Sequence, residues 1–517
     1  MVNVLVLDNI KEETVKDILK DGFNLDFKGK LKEDELISVV GNYDAILLRS
    51  GTKITKPVLE KAKRLKIIGR AGVGVDNIDV EEATRNGIIV MNVPTGNTIS
   101  ACEHTFALIL SLLRKIPQAD KSMREGRWDR KSFIGQELYG KTIGIIGLGR
   151  IGREVAKRAI GFGMKVIGYD PFVSKEYLEK IGVEIVELKK LLENADIITL
   201  HVSLTEDTRH LINKETLSLM KKDAVIINVS RGPVVSEKDL FKFLKEGRIK
   251  GAALDVYEKE PPEELPFKEL ENVILTPHLG ASTIEAQERV SSEVAKQLRD
   301  YFMSNKITNA VNFPVKEISP EIEQFMLLSE KMGRTFVQFE GDLDNIELIY
   351  SRGLLEDNRS ILTSCFFKGA LSKVLDVRVS IVNSMIFTKE RNVKWRESIV
   401  ESEEYKNLLT VKGKNVSISG TTFHNEMRFV EINGYPVSII PDGIILLFSN
   451  KDVPGVIGKV GTLLGEKNIN IARMEVGRKI KGGDAITCVK VDSSPDETIL
   501  SEISKLPFVG WIKKIEL

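Results

Sequence analysis

Short apolar runs rich in β-branched residues alternate with Lys- and Glu-rich stretches of helical period up to about residue 305. The runs are VNVLVL, YDAILLRS, LKIIGRAG, GIIVMNV, KTIGIIGLG, MKVIGYD, ADIITLHV, AVIINVS, IKGAALDV and NVILTPH. This alternation of strands and helices is typical of βα units on a parallel sheet. We therefore predict an α/β fold built on doubly wound parallel sheets for this part of the chain.

A long amphipathic stretch, TIEAQERVSSEVAKQLRDYF, follows the last of these runs. Val290, Val294 and Leu298 fall on one face of the predicted helix, which indicates that this face is buried. Ser282 and Glu285 form an S-x-x-E pattern, so we expect a capping box at the N-terminus of the helix.

The pattern changes in the C-terminal part of the chain. Runs between about 308 and 440 are strand-like and partly alternating, with Asn-Gly and Pro-Asp-Gly turn signals between them. They are NIELIYSRG, LDVRVSIVN and VSISGTTFHNEMRFVEI, and they predict a separate α+β domain that begins near 309–316. Residues 444–517 predict the element order βαββαβ, which is a self-contained ferredoxin-like unit.

Composition narrows the choice of partners. A chain of 517 residues is too long for one core, and its 75 Lys and Arg balance 74 Asp and Glu. No global field therefore attracts nucleic acid or a membrane, and the apolar run at the N-terminus is too short for a signal or membrane segment. Cys102, Cys365 and Cys488 are odd in number and widely spaced, which favours a cytoplasmic protein without a metal site.

The segment GIIGLGRIG contains a G-x-G-x-x-G motif made by Gly147, Gly149 and Gly152. A strand-like run precedes it, a helix-forming run follows it, and the next strand ends in Asp170, which is the context of a dinucleotide-binding motif. The first glycine permits a tight turn, the second lets a pyrophosphate approach the backbone, and the third allows close packing of helix on strand. A carboxylate at Asp170 accepts bonds from ribose hydroxyls and repels a 2′-phosphate, so we predict NAD and not NADP.

Ionisable residues stand just beyond the successive strands that follow this motif. His201 comes after ADIITL, Arg231 after AVIINVS, Asp255 and Glu260 after GAAL, and His278 after NVILTP. Each one alone is more often a structural or solvated residue, but ligands of an open α/β sheet bind at the carboxyl ends of its strands. An imidazole base, a carboxylate that orients it and a guanidinium that clamps oxygens suit oxidation of a 2-hydroxy acid.

Four of these segments carry a family resemblance. GLGRIG with Asp170, NVSRGPVV, DVYEKEPP and TPHLGAS resemble the D-2-hydroxyacid dehydrogenase family over residues 1–305. The C-terminal unit, with NKDVPGVIGKVG and NINIARM, resembles the amino-acid-binding ACT domain. An intervening domain between the two is typical of the long-form D-3-phosphoglycerate dehydrogenase branch of that family.

The resemblance implies a role for each matching position. Arg231 would bind substrate, Glu260 would polarise the base, and His278 would be the catalytic acid and base. NAD would be held by Gly147, Gly149, Arg150, Ile151, Gly152, Asp170, Val229, Asp255, His278 and Gly280. In the loop HVSL, Ser203 stands where the family often has Pro, which puts only local loop shape in doubt.

The resemblance also implies a discontinuous arrangement of two Rossmann-like domains. Residues 1–97 and 281–307 would form the substrate-binding domain, and residues 98–280 the NAD-binding domain. Residues 308–441 would form the intervening domain and residues 442–517 the ACT domain.

The implied substrate, D-3-phosphoglycerate, needs cations at both ends. Arg49, Lys53 and Arg70 follow N-terminal strands, where they could face the cleft, and the amides of Val73 and Gly74 could form a nest for the carboxylate. The family also suggests that RWDRKSF, through Arg130 and Lys131, reaches the phosphate bound by a partner subunit.

The ACT resemblance implies an amino-acid effector, typically L-serine, bound across two chains of a homo-oligomer, which we expect to be a dimer of dimers. Asn450 and Asp452 in the strand–helix loop and Asn470 at the start of the next strand are the candidate effector residues.

Three alternatives compete with this interpretation. A glyoxylate or hydroxypyruvate reductase shares the catalytic trio but would lack the two appended domains. Formate dehydrogenases have Gln where this chain has Glu260. An NAD-sensing corepressor of the same fold predicts a disordered tail, whereas this chain ends in a compact βαββαβ pattern.

Overall fold

The computed structural model describes residues 1–174, 180–314, 318–423 and 426–517. Within these residues the chain forms four β-sheets of five, seven, six and four strands. The predicted junction near 309–316 lies partly outside the described residues.

The first sheet is parallel throughout, and its strand order is β2-β1-β3-β4-β5. Its strands are β1 (Val2–Val6), β2 (Phe23–Phe27), β3 (Ala45–Leu48), β4 (Ile67–Arg70) and β5 (Ile89–Asn92). The helices of this unit are α1 (Glu12–Ile18), α2 (Glu33–Val39), α3 (Lys56–Lys61) and α4 (Val80–Arg85). The pattern did not predict β2, because the polar residues Asn24 and Asp26 interrupt its apolar run.

The second sheet is also parallel, with the strand order β12-β11-β10-β9-β6-β7-β8. Its strands are β6 (Thr142–Ile146), β7 (Lys165–Tyr169), β8 (Glu184–Ile185), β9 (Ile197–Leu200), β10 (Val225–Asn228), β11 (Gly251–Leu254) and β12 (Val273–Leu275). Its helices are α5 (Thr98–Arg114), α6 (Ile116–Arg124), α7 (Arg150–Gly161), α8 (Leu188–Asn194), α9 (Lys214–Leu217) and α10 (Glu237–Lys245). The order reverses between β6 and β9, which places the ligand crevice of a doubly wound sheet at their carboxyl ends.

Two long helices connect the two sheets. Helix α5 buries Cys102 and Ile109 in the core of the second sheet. Helix α11 (Ile284–Ser304) returns to the first sheet, where Val290, Val294 and Leu298 are buried as their spacing predicted.

The predicted capping box of α11 is wrong by one residue. Thr283 is the N-cap, and its hydroxyl accepts the amide of Ala286 at 3.2 Å. The amide of Ser282 donates instead to the carbonyl of Leu279, because Ser282 still belongs to the turn before the helix.

The third sheet is mixed and has the strand order β14-β13-β15-β16-β17-β18. Its strands are β13 (Ile346–Ser351), β14 (Trp395–Val400), β15 (Leu409–Lys412), β16 (Ser417–Phe423), β17 (Glu426–Ile432) and β18 (Tyr435–Ile439). The accompanying helices are α12 (Pro320–Glu340), α13 (Leu354–Asp357), α14 (Arg359–Leu371) and α15 (Ser384–Glu390).

The strand predicted from LDVRVSIVN is wrong, because residues 375–383 form an irregular connection. The alternating apolar residues of this segment pack between units instead of within a sheet. Val382 enters the core of the first sheet, and the guanidinium of Arg378 donates to the carbonyl of Leu65 at 2.7 Å.

The fourth sheet is antiparallel, with the order β20-β21-β19-β22. Its elements are β19 (Ile444–Lys451), α16 (Val456–Glu466), β20 (Ile471–Arg478), β21 (Asp484–Val491), α17 (Glu497–Ser504) and β22 (Val509–Glu516), so the predicted βαββαβ order is confirmed. Leu446 and Phe448 pack with the helices of this unit, whereas Ile445 and Leu447 join the core of the third unit. Alternate residues of β19 therefore join two cores, as the two faces of a strand require.

Candidate active site

The glycine loop after β6 has the backbone geometry that a dinucleotide needs. Gly147 has a φ of 92°, and a Cβ there would lie 2.6 Å from the carbonyl oxygen of His201. A Cβ at Gly152 would lie 2.0 Å from the carbonyl oxygen of Gly147, so the helix can pack this closely only on glycine. A Cβ at Gly149 would meet no atom within 4 Å, which leaves open space at the N-terminus of α7. The loop therefore fits a pyrophosphate, whose charge the helix N-terminus favours.

Asp170 lies at the end of β7, next to this loop. Its two oxygens accept the amides of Leu148 at 2.8 Å and Phe172 at 2.9 Å, so the carboxylate is held in a fixed orientation. The side chain of Arg150 is exposed, and Ile151 packs partly buried against the core of the second sheet.

His278 and Glu260 form the predicted pair. The distance from His278 Nδ1 to Glu260 Oε2 is 2.6 Å, and Glu260 Oε1 accepts the amide of Tyr257 at 3.1 Å. Because a carboxylate only accepts, Nδ1 carries the proton of this bond, and Nε2 is left to face a ligand. The His278 side chain is 44% exposed, so the ring is open to the cleft.

Asp255 anchors the loop that presents His278. Its fully buried carboxylate accepts the amides of Leu279 at 2.7 Å and Gly280 at 2.8 Å, while its carbonyl accepts the amide of His278. His278 has a φ of 56°, an uncommon conformation that these bonds support. A Cβ at Gly280 would lie 3.1 Å from Val229 Cγ1, so these predicted cofactor residues lie side by side.

Two further side chains complete the surroundings of Asp255. His104 Nε2 lies 3.1 Å from Asp255 Oδ1, and the hydroxyl of Thr276 donates to the same oxygen at 2.6 Å. Burial raises the pKa of the Asp255 carboxyl, but the hydrogen bonds from His104, Thr276 and Leu279 outweigh burial and hold that pKa below its usual value. Asp255 is therefore an ionised, buried support of the His278 loop.

Three arginines converge where the first sheet faces the second. Burial, which is the largest cause, together with the neighbouring charges of Arg231 and Arg49 lowers the pKa of Arg70 to about 10. Burial also lowers the pKa of Arg49, against the opposing charge of Asp8. Within the described residues the buried Nε of Arg70 has no hydrogen-bond partner. A cluster of partly dehydrated cations with an unsatisfied donor is suited to an anionic ligand.

Arg231 is shared between the two sheets. Its Nε donates to Asp76 Oδ2 at 3.0 Å, and its Nη1 donates to the carbonyl of Ser230 at 2.8 Å. A Cβ at Gly74 would lie 2.0 Å from Arg231 Nη2, so the loop that contains Val73 and Gly74 abuts the guanidinium directly.

The other predicted cations lie on the surface. Lys53, Arg130 and Lys131 are all exposed.

The three predicted effector residues are not brought together within one chain. Asn450 is buried, accepts the hydroxyl of Thr487 at 2.7 Å, and belongs to the end of β19 that pairs with the start of β21. Asp452 follows on the same side, where it accepts Arg478 Nη1 and the amide of Gly482, both at 2.9 Å. Asn470 bonds Asp492 at 2.6 Å beyond the opposite end of β21.

The sequence pattern did not single out Asp76, His104, Tyr257 or Thr276. Asp76 stands in the same glycine-rich segment as Gly74, and Tyr257 and Thr276 flank predicted residues in DVYEKEPP and TPHLGAS. A search of the neighbours of each motif residue would have found these three, whereas His104 lies on α5, far away in sequence. Among the described residues, no group of three or more His, Cys, Asp or Glu could hold a metal ion. In the same part of the chain, no helix is long and apolar enough to cross a membrane.

A dinucleotide-binding parallel sheet that carries a His–Glu pair and an arginine at its carboxyl edge is the arrangement of an NAD-dependent dehydrogenase of 2-hydroxy acids. The family model for the D-isomer specific 2-hydroxyacid dehydrogenase NAD binding domain matches residues 106–280. The D-3-phosphoglycerate dehydrogenase intervening domain matches residues 321–433, and the ACT domain matches residues 444–508.

Relatives match this chain over its whole length. The D-3-phosphoglycerate dehydrogenase of Methanocaldococcus jannaschii is 44% identical over 100% of both chains, and that of Bacillus subtilis is 40% identical over 100% of both. The chain therefore belongs to the D-3-phosphoglycerate dehydrogenases. It is an NAD-dependent oxidoreductase, as the family resemblance implied.

Solved structures match the catalytic part. D-lactate dehydrogenase from Aquifex aeolicus, complexed with NAD and lactic acid, is 32% identical with a TM-score of 0.54 and covers 60% of this chain and 100% of its own. A glyoxylate reductase from Paecilomyes thermophila is 30% identical with a TM-score of 0.56 and covers 60% and 98%. The predicted fold class and the predicted NAD cofactor are confirmed.

Proposed function

We propose that the chain oxidises D-3-phosphoglycerate to 3-phosphohydroxypyruvate, the first step of L-serine biosynthesis. The observation that carries this proposal is the meeting of Arg49, Arg70 and Arg231 in one cleft. A substrate with a phosphate at one end and a carboxylate at the other uses cations at both ends. An unphosphorylated 2-hydroxy acid needs only one of them.

His278 is the acid and base of the proposed mechanism. Its Nε2 takes the proton of the C2 hydroxyl while Glu260 stabilises the imidazolium through Nδ1. Bound NAD supplies the acceptor for the hydride that leaves C2, and the C2–O bond becomes a carbonyl. In the reverse direction, His278 returns the proton to the carbonyl oxygen.

Arg231 grips the carboxylate and the C2 oxygen of the substrate with its planar fork. The amides of Val73 and Gly74 add donors for the carboxylate, since their loop abuts Arg231. Arg49 and Arg70 then remain for the phosphate. A Cβ at Gly72 would lie 1.6 Å from Arg70 Nη1, so Arg70 contacts the same glycine-rich loop as Arg231, which supports its part in this assignment.

We propose the cofactor site and the domain division that the family resemblance implies. NAD is held by the loop of Gly147, Gly149, Arg150, Ile151 and Gly152, with Asp170 on the ribose. Val229, Asp255, His278 and Gly280 line the nicotinamide end. Residues 98–280 form the NAD-binding domain, 1–97 and 281–307 the substrate-binding domain, 308–441 the intervening domain, and 442–517 the ACT domain.

One assay separates this function from its rival. NAD reduction is measured with D-3-phosphoglycerate and, in parallel, with glycerate, lactate and 2-hydroxyglutarate. We expect the highest kcat/KM with the phosphorylated acid. Equal or higher kcat/KM with glycerate would favour a glyoxylate or hydroxypyruvate reductase instead.

We also propose that L-serine inhibits the enzyme by binding to the ACT domain with Asn450, Asp452 and Asn470. Because Asn470 and Asp452 lie beyond opposite ends of β21, a site that contains both is built from two chains. Unchanged activity and melting temperature in millimolar serine would count against this proposal.

The proposed assembly is a dimer of dimers. The segment 116–139 exposes five large apolar side chains, which supports a subunit contact there, because exposed apolar groups often mark an interface. Its exposed fractions are 53% for Ile116, 53% for Met123, 78% for Trp128, 75% for Ile134 and 80% for Tyr139. Arg130 and Lys131 lie within this segment and would reach a partner's cleft. Trp128→Glu should lower the mass measured by light scattering; an unchanged mass would place the contact elsewhere.

The proposed location is the cytoplasm. Cys102, Cys365 and Cys488 are buried free thiols, which a reducing compartment preserves.

A further inference from the structure

Asp76 is an acidic residue inside a cluster of cations. It follows β4 in the first sheet, and its Oδ2 accepts the Nε proton of Arg231, which follows β10 in the second sheet, at 3.0 Å. The bond therefore joins the carboxyl edges of the two parallel sheets across the cleft.

The bond to Asp76 determines how Arg231 can turn. Nε is held by Asp76 and Nη1 by the carbonyl of Ser230, so two of the three nitrogens of the planar guanidinium are fixed by the protein. The third, Nη2, lies beside Gly74. Two such bonds restrict rotation of the guanidinium about its long axis and favour one direction for its remaining edge.

A carboxylate at this place has a cost for binding. It repels the carboxylate and the phosphate of an anionic substrate, and a site selected only for affinity would have a neutral residue here. Asp76 also opposes the charges that lower the pKa of Arg70, although burial and the two other arginines outweigh it. Orientation of Arg231 is the benefit that balances this repulsion.

We propose that Asp76 is a positioning residue that holds the Arg231 guanidinium across the cleft in the orientation that grips the carboxyl end of the substrate. The proposal rests on the substrate-binding role given to Arg231 under Proposed function. Asp76 acts on the transition state through Arg231 and touches no reacting atom.

The test is Asp76→Asn in the full-length enzyme, with kcat and KM measured separately for D-3-phosphoglycerate. We expect kcat to fall by about 10- to 100-fold, the scale of a small misplacement of a reacting group. KM should stay level or fall, because a repelling charge is removed. Asp76→Glu should recover part of kcat. A carboxylate that only balances charge predicts the opposite split, a lower KM with unchanged kcat, and that result would overturn the proposal.

A double variant separates this inference from the function on which it rests. Arg231→Lys should lower kcat/KM strongly, and adding Asp76→Asn to it should change kcat by less than about twofold, since coupled residues are not additive. If the wild type does not reduce NAD with D-3-phosphoglycerate, the proposed function fails; if Arg231→Lys is as active as the wild type, the substrate-binding role of Arg231 fails. If Arg231→Lys is impaired and Asp76→Asn keeps full kcat, only the positioning role fails.

Glu81→Gln is the matched control, because Glu81 is an exposed acid in the same unit and lies outside the proposed site. It should keep the wild-type kcat. The melting temperature and NADH affinity of each variant, the latter from fluorescence, show whether a loss of kcat arises from misfolding or from an altered cofactor site.

Discussion

The residues predicted for the cleft lie close together within one chain, whereas those predicted for the ACT unit lie apart. In the cleft, Arg231, Glu260 and His278 follow strands of one parallel sheet, so their loops emerge at one edge. In the antiparallel ACT sheet, neighbouring strand ends alternate in direction, and Asn470 is carried to the end of β21 opposite Asp452. The parallel sheet gathers residues from distant positions within one chain, whereas the antiparallel unit keeps Asp452 and Asn470 at opposite ends of β21.

The largest expected effect tests the catalytic role of His278. His278→Asn should lower kcat by about 10²- to 10⁴-fold, the usual contribution of a general base. Fluorescence titration with NADH separates this loss of kcat from any weaker binding of the cofactor, because His278 also lines the proposed nicotinamide end of the site. His210→Asn is the matched control, because His210 also faces a glutamate, Glu258 at 3.3 Å, and is about as exposed as His278, but it has no part in the proposed site. A His278 variant as active as the His210 variant would remove His278 from the mechanism.

The next effect tests whether the arginine cluster recognises the phosphate of the substrate. Arg49→Gln or Arg70→Gln should raise KM for D-3-phosphoglycerate by about 10- to 100-fold, since each removes charge-assisted bonds. KM for glycerate should rise much less. Arg64→Gln, which breaks an exposed ion pair with Asp44, is the control. Equal increases for both substrates would mean that these arginines do not distinguish the phosphate.

A mixing experiment tests whether the effector site of the ACT unit joins two chains. Asp452→Ala and Asn470→Ala should each weaken inhibition by L-serine. Mixed oligomers of the two variants should regain part of it, because a site that joins Asp452 of one chain to Asn470 of another is then intact in some pairs. Serine titrations of the separate and co-refolded variants measure this. No recovery after verified mixing would place both residues in one chain's site or in none.

The smallest effect concerns acid stability near the cofactor crevice. Burial lowers the pKa of His201 to about 3 from its usual 6.5, so the folded protein keeps the ring neutral while the unfolded chain takes up a proton below pH 6.5. The stabilisation is complete above that pH and is lost as the pH falls towards 3. His201→Asn should therefore show a smaller drop in melting temperature between about pH 7 and pH 5. Above pH 7 the two curves should run parallel; parallel curves at every pH would contradict the buried state of the ring.

The sequence pattern was most informative where periodicity and topology agree. The apolar runs predicted most strands of the two parallel sheets and the whole βαββαβ unit. The pattern wrongly predicted a strand in LDVRVSIVN, whose alternating apolar residues make contacts between units. It missed β2, because polar residues interrupt the apolar run of that strand. Apolar alternation reports that a segment is half-buried; it does not report what covers it.

The sequence by itself determined the order of elements, the glycine loop and the residue types at the catalytic edge, because these depend on local periodicity and on the rule that parallel strands end together. Only the tertiary structure decided that Asp76 reaches Arg231 and that His104 and Thr276 support Asp255. Those contacts join residues far apart in the chain. Their geometry follows from how the two sheets and α5 pack, which no local pattern records.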